Sequence, residues 1–268
     1  MILLLGGTSH TAALALGLAR SGYHVLVSRA TDVPLEVGDH PHIETRCGAL
    51  DDQGLAELVR QRRVRAIVDA THPYAAEIHA RARRVAAGLG LPYFPFVRPA
   101  SIVPGAPQVT FADDHVAAAQ LAFADGRPVL LTTGSRHLAP YVTESRRTGV
   151  PLVARVLDHP TSLAACREAG LPADRIVSDR GPFSVAENRR QIRLFGIGVL
   201  VTKDSGEAGG SVEKLEAARA EGCRVVVVQR PATTDTDRYT SVDTLVAALD
   251  RDTLVAALDR LRLGPAAD

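Results

Sequence analysis

The chain has 268 residues, 46% of them hydrophobic and 23% charged, which excludes a largely disordered chain and, at about 150 residues per domain, fits one large or two small domains. Its 31 basic and 30 acidic side chains leave a net charge of +1, which makes it a poor candidate for broad nucleic-acid binding, since that runs on a basic surface. Three scattered cysteines (Cys47, Cys166 and Cys223) form no zinc pattern or disulfide framework, and no apolar run is long enough for a signal peptide core or a membrane span, so a cytoplasmic protein is expected.

Short apolar runs alternate with helix-length amphipathic stretches from the first residue. Strands are predicted at residues 2–5, 24–28, 64–69 and 93–97, with helices at 10–21, 51–62 and 73–89. Wholly apolar strands belong to sheets covered on both faces, and strand–helix alternation predicts parallel βαβ units. Residues 99–107 carry Pro99, Pro104, Gly105 and Pro107 and read as a boundary. Beyond it the alternation resumes, with strands at 108–111, 128–132, 152–155, 198–202 and 224–228 and helices near 114–123, 161–168, 184–194 and 211–221. The expected fold is α/β: two Rossmann-like lobes, residues 1–98 and 108–268, with mostly parallel sheets and a cleft between them.

The C-terminus holds a tandem repeat, DTLVAALDR at residues 243–251 and again at 252–260. Nine residues turn a helix by about 180°, so one continuous helix would point the two apolar faces in opposite directions. A tolerated extension is the preferred reading, and a partner-binding helix is the alternative.

The loop Gly6-Gly7-Thr8-Ser9 lies between the first strand and the first helix. Glycines there let backbone N–H groups approach a phosphate, and Thr8 and Ser9 add hydroxyl donors. It is not GxGxxG, and a tight βα turn is the plain alternative. The second strand ends at Ser28-Arg29, where dinucleotide folds often place an acidic residue on the ribose; an arginine there favours NADPH, while Asp32 keeps NADH open. The third strand ends in Asp69-Ala70-Thr71-His72-Pro73-Tyr74. Pro73 fits the first turn of the next helix, with Thr71 or His72 near the cap. His72 and Tyr74 then line a cofactor or substrate site, or else form a capping and packing cluster.

In the second half, Thr132-Thr133-Gly134-Ser135-Arg136 reads as a second anion-binding turn, and Arg180-Gly181-Pro182-Phe183-Ser184 precedes a helix, with Phe183 taken as core. The richest segment is Thr202-Lys203-Asp204-Ser205-Gly206, followed by Gly209-Gly210 and Lys214. Only two of the 31 basic residues are lysine, Lys203 and Lys214. Lys203 can hold a substrate carboxylate, and Asp204 can deliver a proton if its site raises its pKa. Arg98, Arg136, Arg155, Arg180 and Arg230 all fall near predicted strand ends and suit a ligand with several carboxylates. No GxxxxGK[ST], HExxH or GxSxG motif occurs, no tyrosine has a lysine four positions later, and the nine histidines offer no metal-ligand spacing.

Taken together, these segments resemble the precorrin-6A reductases of cobalamin biosynthesis, including the cobalt-precorrin-6A form. The matching stretches are LLLGGTS at 3–9, VDATHPYA at 68–75, LTTGSR at 131–136, RGPFS at 180–184 and VTKDSGEAGG at 201–210, with Glu213-Lys214 after it. The resemblance implies hydride transfer from NADPH, or from NADH as the alternative, to one carbon of a methylated tetrapyrrole bearing many carboxylate arms. A proton goes to the neighbouring carbon. It implies catalytic roles for Lys203, Asp204, Tyr74 and His72, with Lys203 as anchor or polariser and Asp204 in the proton path. Gly6, Gly7, Thr8, Ser9, Ser28, Arg29 and Thr71 would hold the cofactor, and Ser135, Arg136, Arg180, Ser205 and Gly206 the substrate. No metal, membrane or nucleic acid enters this picture, and a monomer is expected. The chain departs from the family's pattern at His10-Thr11-Ala12, where the family carries Glu-x-Arg, and at Arg29-Ala30-Thr31, where it often has Ala-Gly-Arg. The other classes are an α/β transferase of a tetrapyrrole pathway and a non-catalytic dinucleotide-binding module.

Overall fold

The computed structural model describes residues 1–31, 37–97, 99–102, 105–106, 108–206, 210–231 and 238–262, with side chains as far as Asp252 in the last helix. Asp32, Arg98, Pro104, Pro107 and Gly209, all singled out in the sequence, lie outside the described residues. The chain divides into two compact units, Met1–Arg98 with Pro231–Asp268, and Pro99–Arg230.

The first unit carries five strands, β1 (Ile2–Leu5), β2 (Val25–Arg29), β3 (Ile43–Cys47), β4 (Ala66–Asp69) and β5 (Tyr93–Pro95), in the order β3-β2-β1-β4-β5. Every pairing is parallel. Ile2 and Leu4 of β1 face a cluster with Leu14 and Leu18 of α1 (Thr11–Arg20), whereas Leu3 and Leu5 face Leu55 and Val59 of α2 (Asp52–Gln61) and Val85 of α3 (Ala76–Gly88). Alternate residues point to opposite faces, so a strand covered on both sides has no polar position to alternate with. β3 escaped the sequence reading because it lacks that cover and so lacks an apolar run. It is an edge strand, ETRC in its last four residues, and mostly solvent-exposed.

The second unit carries β6 (Val109–Ala112), β7 (Val129–Leu131), β8 (Leu152–Val156), β9 (Ile176–Ser178), β10 (Val199–Lys203) and β11 (Arg224–Val228), in the order β6-β11-β10-β7-β8-β9, again all parallel. Helices α4 (His115–Phe123), α5 (Ala139–Thr148), α6 (Pro160–Glu168), α7 (Val185–Leu194) and α8 (Ser211–Ala220) connect them. The core on one face joins Leu130, Val153, Leu200 and Val225 to Ile192 of α7 and Ala217 and Ala218 of α8. The sequence reading missed α5 and β9. Only Tyr141 and Val142 of α5 are buried, and β9 is a short edge strand, so neither shows a long apolar pattern.

The last helix, α9 (Val242–Arg262), corrects the expected second lobe of residues 108–268. Its Leu245, Ala248 and Leu249 enter the first unit's core beside α1. Burying each leucine there is worth about 1.5–3 kcal/mol. Gly17 on α1 permits the approach, since a Cβ there would stand 2.3 Å from Val242 Cγ1. The Tyr23 hydroxyl donates to Asp250, and a parallel bridge pairs Phe96 with Tyr239. The first copy of the repeat is therefore structural. The second continues the same helix, and its side chains beyond Asp252 lie outside the described residues. Among the described residues, no helix is long and apolar enough to cross a membrane.

Candidate functional site

Open parallel sheets bind ligands outside the carboxyl ends of their strands, at the point where the strand order reverses. In the first unit that point lies between β1 and β4. The loop after β1 and the loop after β4 meet there, and the Thr8 hydroxyl donates to the Ala70 carbonyl at 3.1 Å. Gly7 has φ +116° and open space where a Cβ would stand, whereas a Cβ on Gly6 would lie 2.6 Å from Thr11 Cγ2. The buried Thr11 hydroxyl accepts from the Gly7 and Thr8 amides, both at 3.1 Å. These amides and the Thr8 hydroxyl, offered to phosphate in the sequence reading, thus already donate to protein acceptors, Thr11 and Ala70. Ser9 is exposed, and α1 has neither a side-chain cap nor an acidic residue in its own first turn.

Ser28 and Arg29 end β2 on the same edge. Ser28 is buried and accepts from Arg46 Nη1 at 2.7 Å; Arg46 stands opposite Ser28 in the register, and Cys47 opposite Arg29. Sequence reading missed Arg46 because β3 itself was missed.

After β4 the expected helix start is corrected. α3 begins at Ala76, so Pro73 lies in the preceding turn, and neither Thr71 nor His72 caps the helix. The organising group is Asp69, 1% exposed. Its Oδ1 accepts from the Thr71 amide at 3.1 Å and the Thr71 hydroxyl at 2.7 Å. Its Oδ2 accepts from the Tyr93 hydroxyl and faces His79 Nδ1, both at 2.8 Å. Burial pushes the Asp69 pKa up, but its partners, His79 first, outweigh this and hold it below the ordinary carboxylate value. His72 and Tyr74 sit on this turn with ring centroids 5.6 Å apart. A carboxylate ending an apolar strand is the signal that could have found this network.

In the second unit the strand order reverses between β10 and β7. The Thr132 hydroxyl donates to the Val201 carbonyl at 2.8 Å, which draws the end of β7 to β10. Lys203 ends β10, half-buried; burial and then Arg136 lower its pKa to about 8. Beside it His115 and His137 stack with centroids 4.2 Å apart, and His115 Nδ1 lies 2.9 Å from the hydroxyl of buried Tyr141. Burial, Lys203 and His137 lower the His115 pKa to about 4, so this imidazole stays neutral at neutral pH. Sequence reading named Lys203 and Arg136 but missed both histidines and Tyr141.

Asp204 does not fit the proton-delivery role. Its carboxylate accepts from the Ser101 amide and hydroxyl, from the Ile102 amide and from the Gly206 amide at 3.0–3.2 Å, and lies 3.3 Å from Arg230. Burial raises its pKa, but the backbone donors prevail and lower it, so the group stays ionised. Asp204 instead ties the segment after residue 98 to the end of β10. The Gly206 amide is spent on Asp204, and the Ser205 amide donates to Ser211 at 3.2 Å.

Arg155, at the end of β8, is 5% exposed. Its Nη1 donates to Asn188 and Gln191, both at 2.8 Å, and its guanidinium lies 4.1 Å from the Phe183 ring centroid. Phe183 is therefore a cation–π platform, only partly buried, and not core. Ser184 and Glu187 form a capping box on α7. Ser135 and Thr133 are partly buried in the turn after β7, while Arg136 and Arg180 are exposed. Among the described residues no group of His, Cys, Asp and Glu is arranged to hold a metal ion.

Against known proteins, residues 1–250 match the family model described as "Precorrin-6x reductase CbiJ/CobK". The chain belongs to the precorrin-6x reductase family. Its members are oxidoreductases of cobalamin biosynthesis, and this chain is one of them. The reductase is 32% identical over 250 residues to a cobalt-precorrin-6A reductase of Priestia megaterium, covering 93% of this chain and 98% of that one. It is 35% identical over 260 residues to a precorrin-6A reductase of Rhodococcus erythropolis, again covering 93% and 98%. A solved structure titled "CobK precorrin-6A reductase" superposes with a TM-score of 0.76 at 28% identity, covering 93% of this chain and 96% of that one. Membership sets aside the transferase and the non-catalytic module.

The reductase collects its sequence-predicted site residues at two sheet edges. Gly6, Gly7, Thr8, Ser9, Ser28, Arg29, Thr71, His72 and Tyr74 belong to the first unit; Lys203, Asp204, Ser205, Gly206, Ser135, Arg136 and Arg180 belong to the second.

Proposed function

We propose that the protein reduces one double bond of precorrin-6A, or of its cobalt form, to the precorrin-6B level, with NADPH preferred over NADH. The observation that carries this reading is a half-buried ammonium, Lys203, at the reversal point of the second sheet, among residues matching the reductase family. When bound, the reduced dinucleotide supplies a hydride.

The first unit's edge fits a dinucleotide. Its strand order is that of a doubly wound sheet across its reversal point, space is open over Gly7, and the first turn of α1 contains no acidic residue. Ser9 and the amino end of α1 would hold the pyrophosphate. Arg29 and Arg46 would hold the 2′-phosphate that distinguishes NADPH. Thr71, His72 and Tyr74 would bound the cofactor edge.

The second unit's edge would hold the substrate. Arg136 and Arg180 pair with its carboxylate arms, and the Ser135 and Ser205 hydroxyls orient them. Lys203 serves as anchor or polariser; with a pKa near 8 it keeps its proton at neutral pH and stays close enough to that value to respond to the substrate. The neutral His115–His137 stack adds no competing charge beside it at neutral pH. Asp204 acts by fixing the chain around Lys203.

The proposal includes a cytoplasmic monomer. Its three free cysteines, two of them buried, suit a reducing compartment. The test is anaerobic oxidation of NADPH and of NADH by the purified protein, with precorrin-6A or its cobalt form. Substrate-dependent loss of NADPH is expected, and the preferred ring form assigns the branch. Nucleotide binding with no turnover on either ring would overturn the substrate assignment.

A further inference from the structure

His79, in the first full turn of α3, has both ring nitrogens facing acceptors. Nε2 lies 3.1 Å from the His72 carbonyl oxygen, which has no proton to give. Nδ1 lies 2.8 Å from Asp69 Oδ2, and that carboxylate already accepts from Tyr93 and twice from Thr71. The Thr71 hydroxyl, 3.3 Å from Nδ1, spends its one proton on Asp69 Oδ1. A neutral imidazole has one N–H and would leave a lone pair against one of these oxygens. The arrangement is satisfied only when both ring nitrogens carry protons.

We propose that His79 is a positioning residue whose doubly protonated ring clasps the turn bearing His72 and Tyr74, and that losing one proton releases that turn. The clasp spans three elements. It links the end of β4 through Asp69, the turn through the His72 carbonyl, and α3 through its own backbone. The same His72 carbonyl accepts from the Ala75 amide at 2.8 Å, so ring and amide together hold the turn closed.

Among the described residues, the charged or titratable groups acting on the ring or on its Asp69 partner come from three elements. Asp69 lies on β4, Tyr93 on β5 and Arg83 one turn further along α3, and the Arg83 guanidinium lies 5.4 Å from the Tyr93 ring centroid. Burial lowers the His79 pKa, but Asp69 and the His72 carbonyl outweigh burial and Arg83, and the net shift is upward from 6.5. The clasp is therefore complete below pH 6.5 and is lost as pH rises through the folded value. Asp69 keeps the remaining Nδ1 proton, so the bond that opens is the one to His72.

The link to catalysis rests on the cofactor edge proposed above; the clasp itself does not. Two measurements on the wild-type protein test the clasp directly. Nitrogen-15 NMR of histidine-labelled protein should show both His79 ring nitrogens protonated at pH 6.5, with the titration displaced to higher pH. Amide exchange, corrected for its intrinsic pH dependence, should show Ala75 losing protection along the same titration, by about tenfold for one lost hydrogen bond. NADPH affinity should weaken several-fold over that range, and His79→Asn or His79→Gln should remove the pH step. A singly protonated ring at pH 6.5, or Ala75 protection that ignores the titration, overturns the proposal. NADPH binding that is independent of pH while the ring titrates overturns the link between the clasp and the cofactor edge. If ring and amide titrate together and no dinucleotide binds at any pH, the clasp is upheld and the cofactor assignment fails.

Discussion

The Thr8 hydroxyl and the Ala70 carbonyl, 62 residues apart in sequence, meet at 3.1 Å across the reversal point of the first sheet. Both residues are buried, so this bond fixes the loop after β1 against the loop after β4 without help from solvent. Thr8→Val keeps the shape and leaves the carbonyl without its donor. The expected cost is about 1–3 kcal/mol of stability, read by urea denaturation, with weaker dinucleotide binding. An unchanged denaturation midpoint would show that the bond does not hold the two loops.

Lys203 separates charge from reach. Lys203→Ala should lower kcat/KM by about a hundredfold while leaving dinucleotide affinity near wild type. With a pKa near 8, the wild-type profile should fall on the alkaline side as the ammonium loses its proton. Lys203→Arg keeps the charge, so the alkaline limb should move upward or vanish even where the rate falls. An alkaline limb that is unchanged in Lys203→Arg belongs to another group.

Arg46 and Arg29 predict a cofactor preference. Arg46→Ala and Arg29→Ala should each weaken NADPH by roughly tenfold or more, about 1.5–3 kcal/mol for a hydrogen bond to a charged group, and change NADH little. Fluorescence titration with both nucleotides reads this directly. Equal loss of NADPH and NADH would remove both arginines from the 2′-phosphate.

Asp204 predicts the pH dependence of stability. Its pKa is lowered by folding, so its contribution is complete above the ordinary 3.8 and is lost as pH falls through the folded value. Asp204→Asn should be clearly less stable than wild type at pH 7, and the gap should narrow below pH 3.8. Chemical denaturation at pH 7 and pH 3 measures it. The same variant should retain part of its turnover, because the side chain positions the backbone around Lys203 and does not carry the proton. Complete loss of turnover in a folded variant would restore Asp204 to the proton path.

By itself the sequence determined the alternation of strands and helices, the two parallel sheets and the family. Runs such as residues 2–5 and 199–201 are apolar and buried at every position, and that property is local. Segments that end these runs, at Gly6, Thr71, Thr132 and Lys203, therefore fall at sheet edges wherever the strands go. Other features depended on partners distant in sequence, which only the tertiary structure supplies. Asp204 looked like a proton donor until the amides of Ser101 and Ile102, about 100 residues earlier, filled its lone pairs. The tail from Pro231 followed the second half in sequence, yet Leu245 and Leu249 lie in the first unit's core, since burial answers to apolar surface and not to chain order. Arg46 sits on an exposed edge strand with no apolar signature, and His79 acquires its role from Asp69 and the His72 carbonyl, which the turn after β4 folds back onto it. Charge state and hydrogen-bond commitment are properties of a neighbourhood, and the neighbourhood is set by packing.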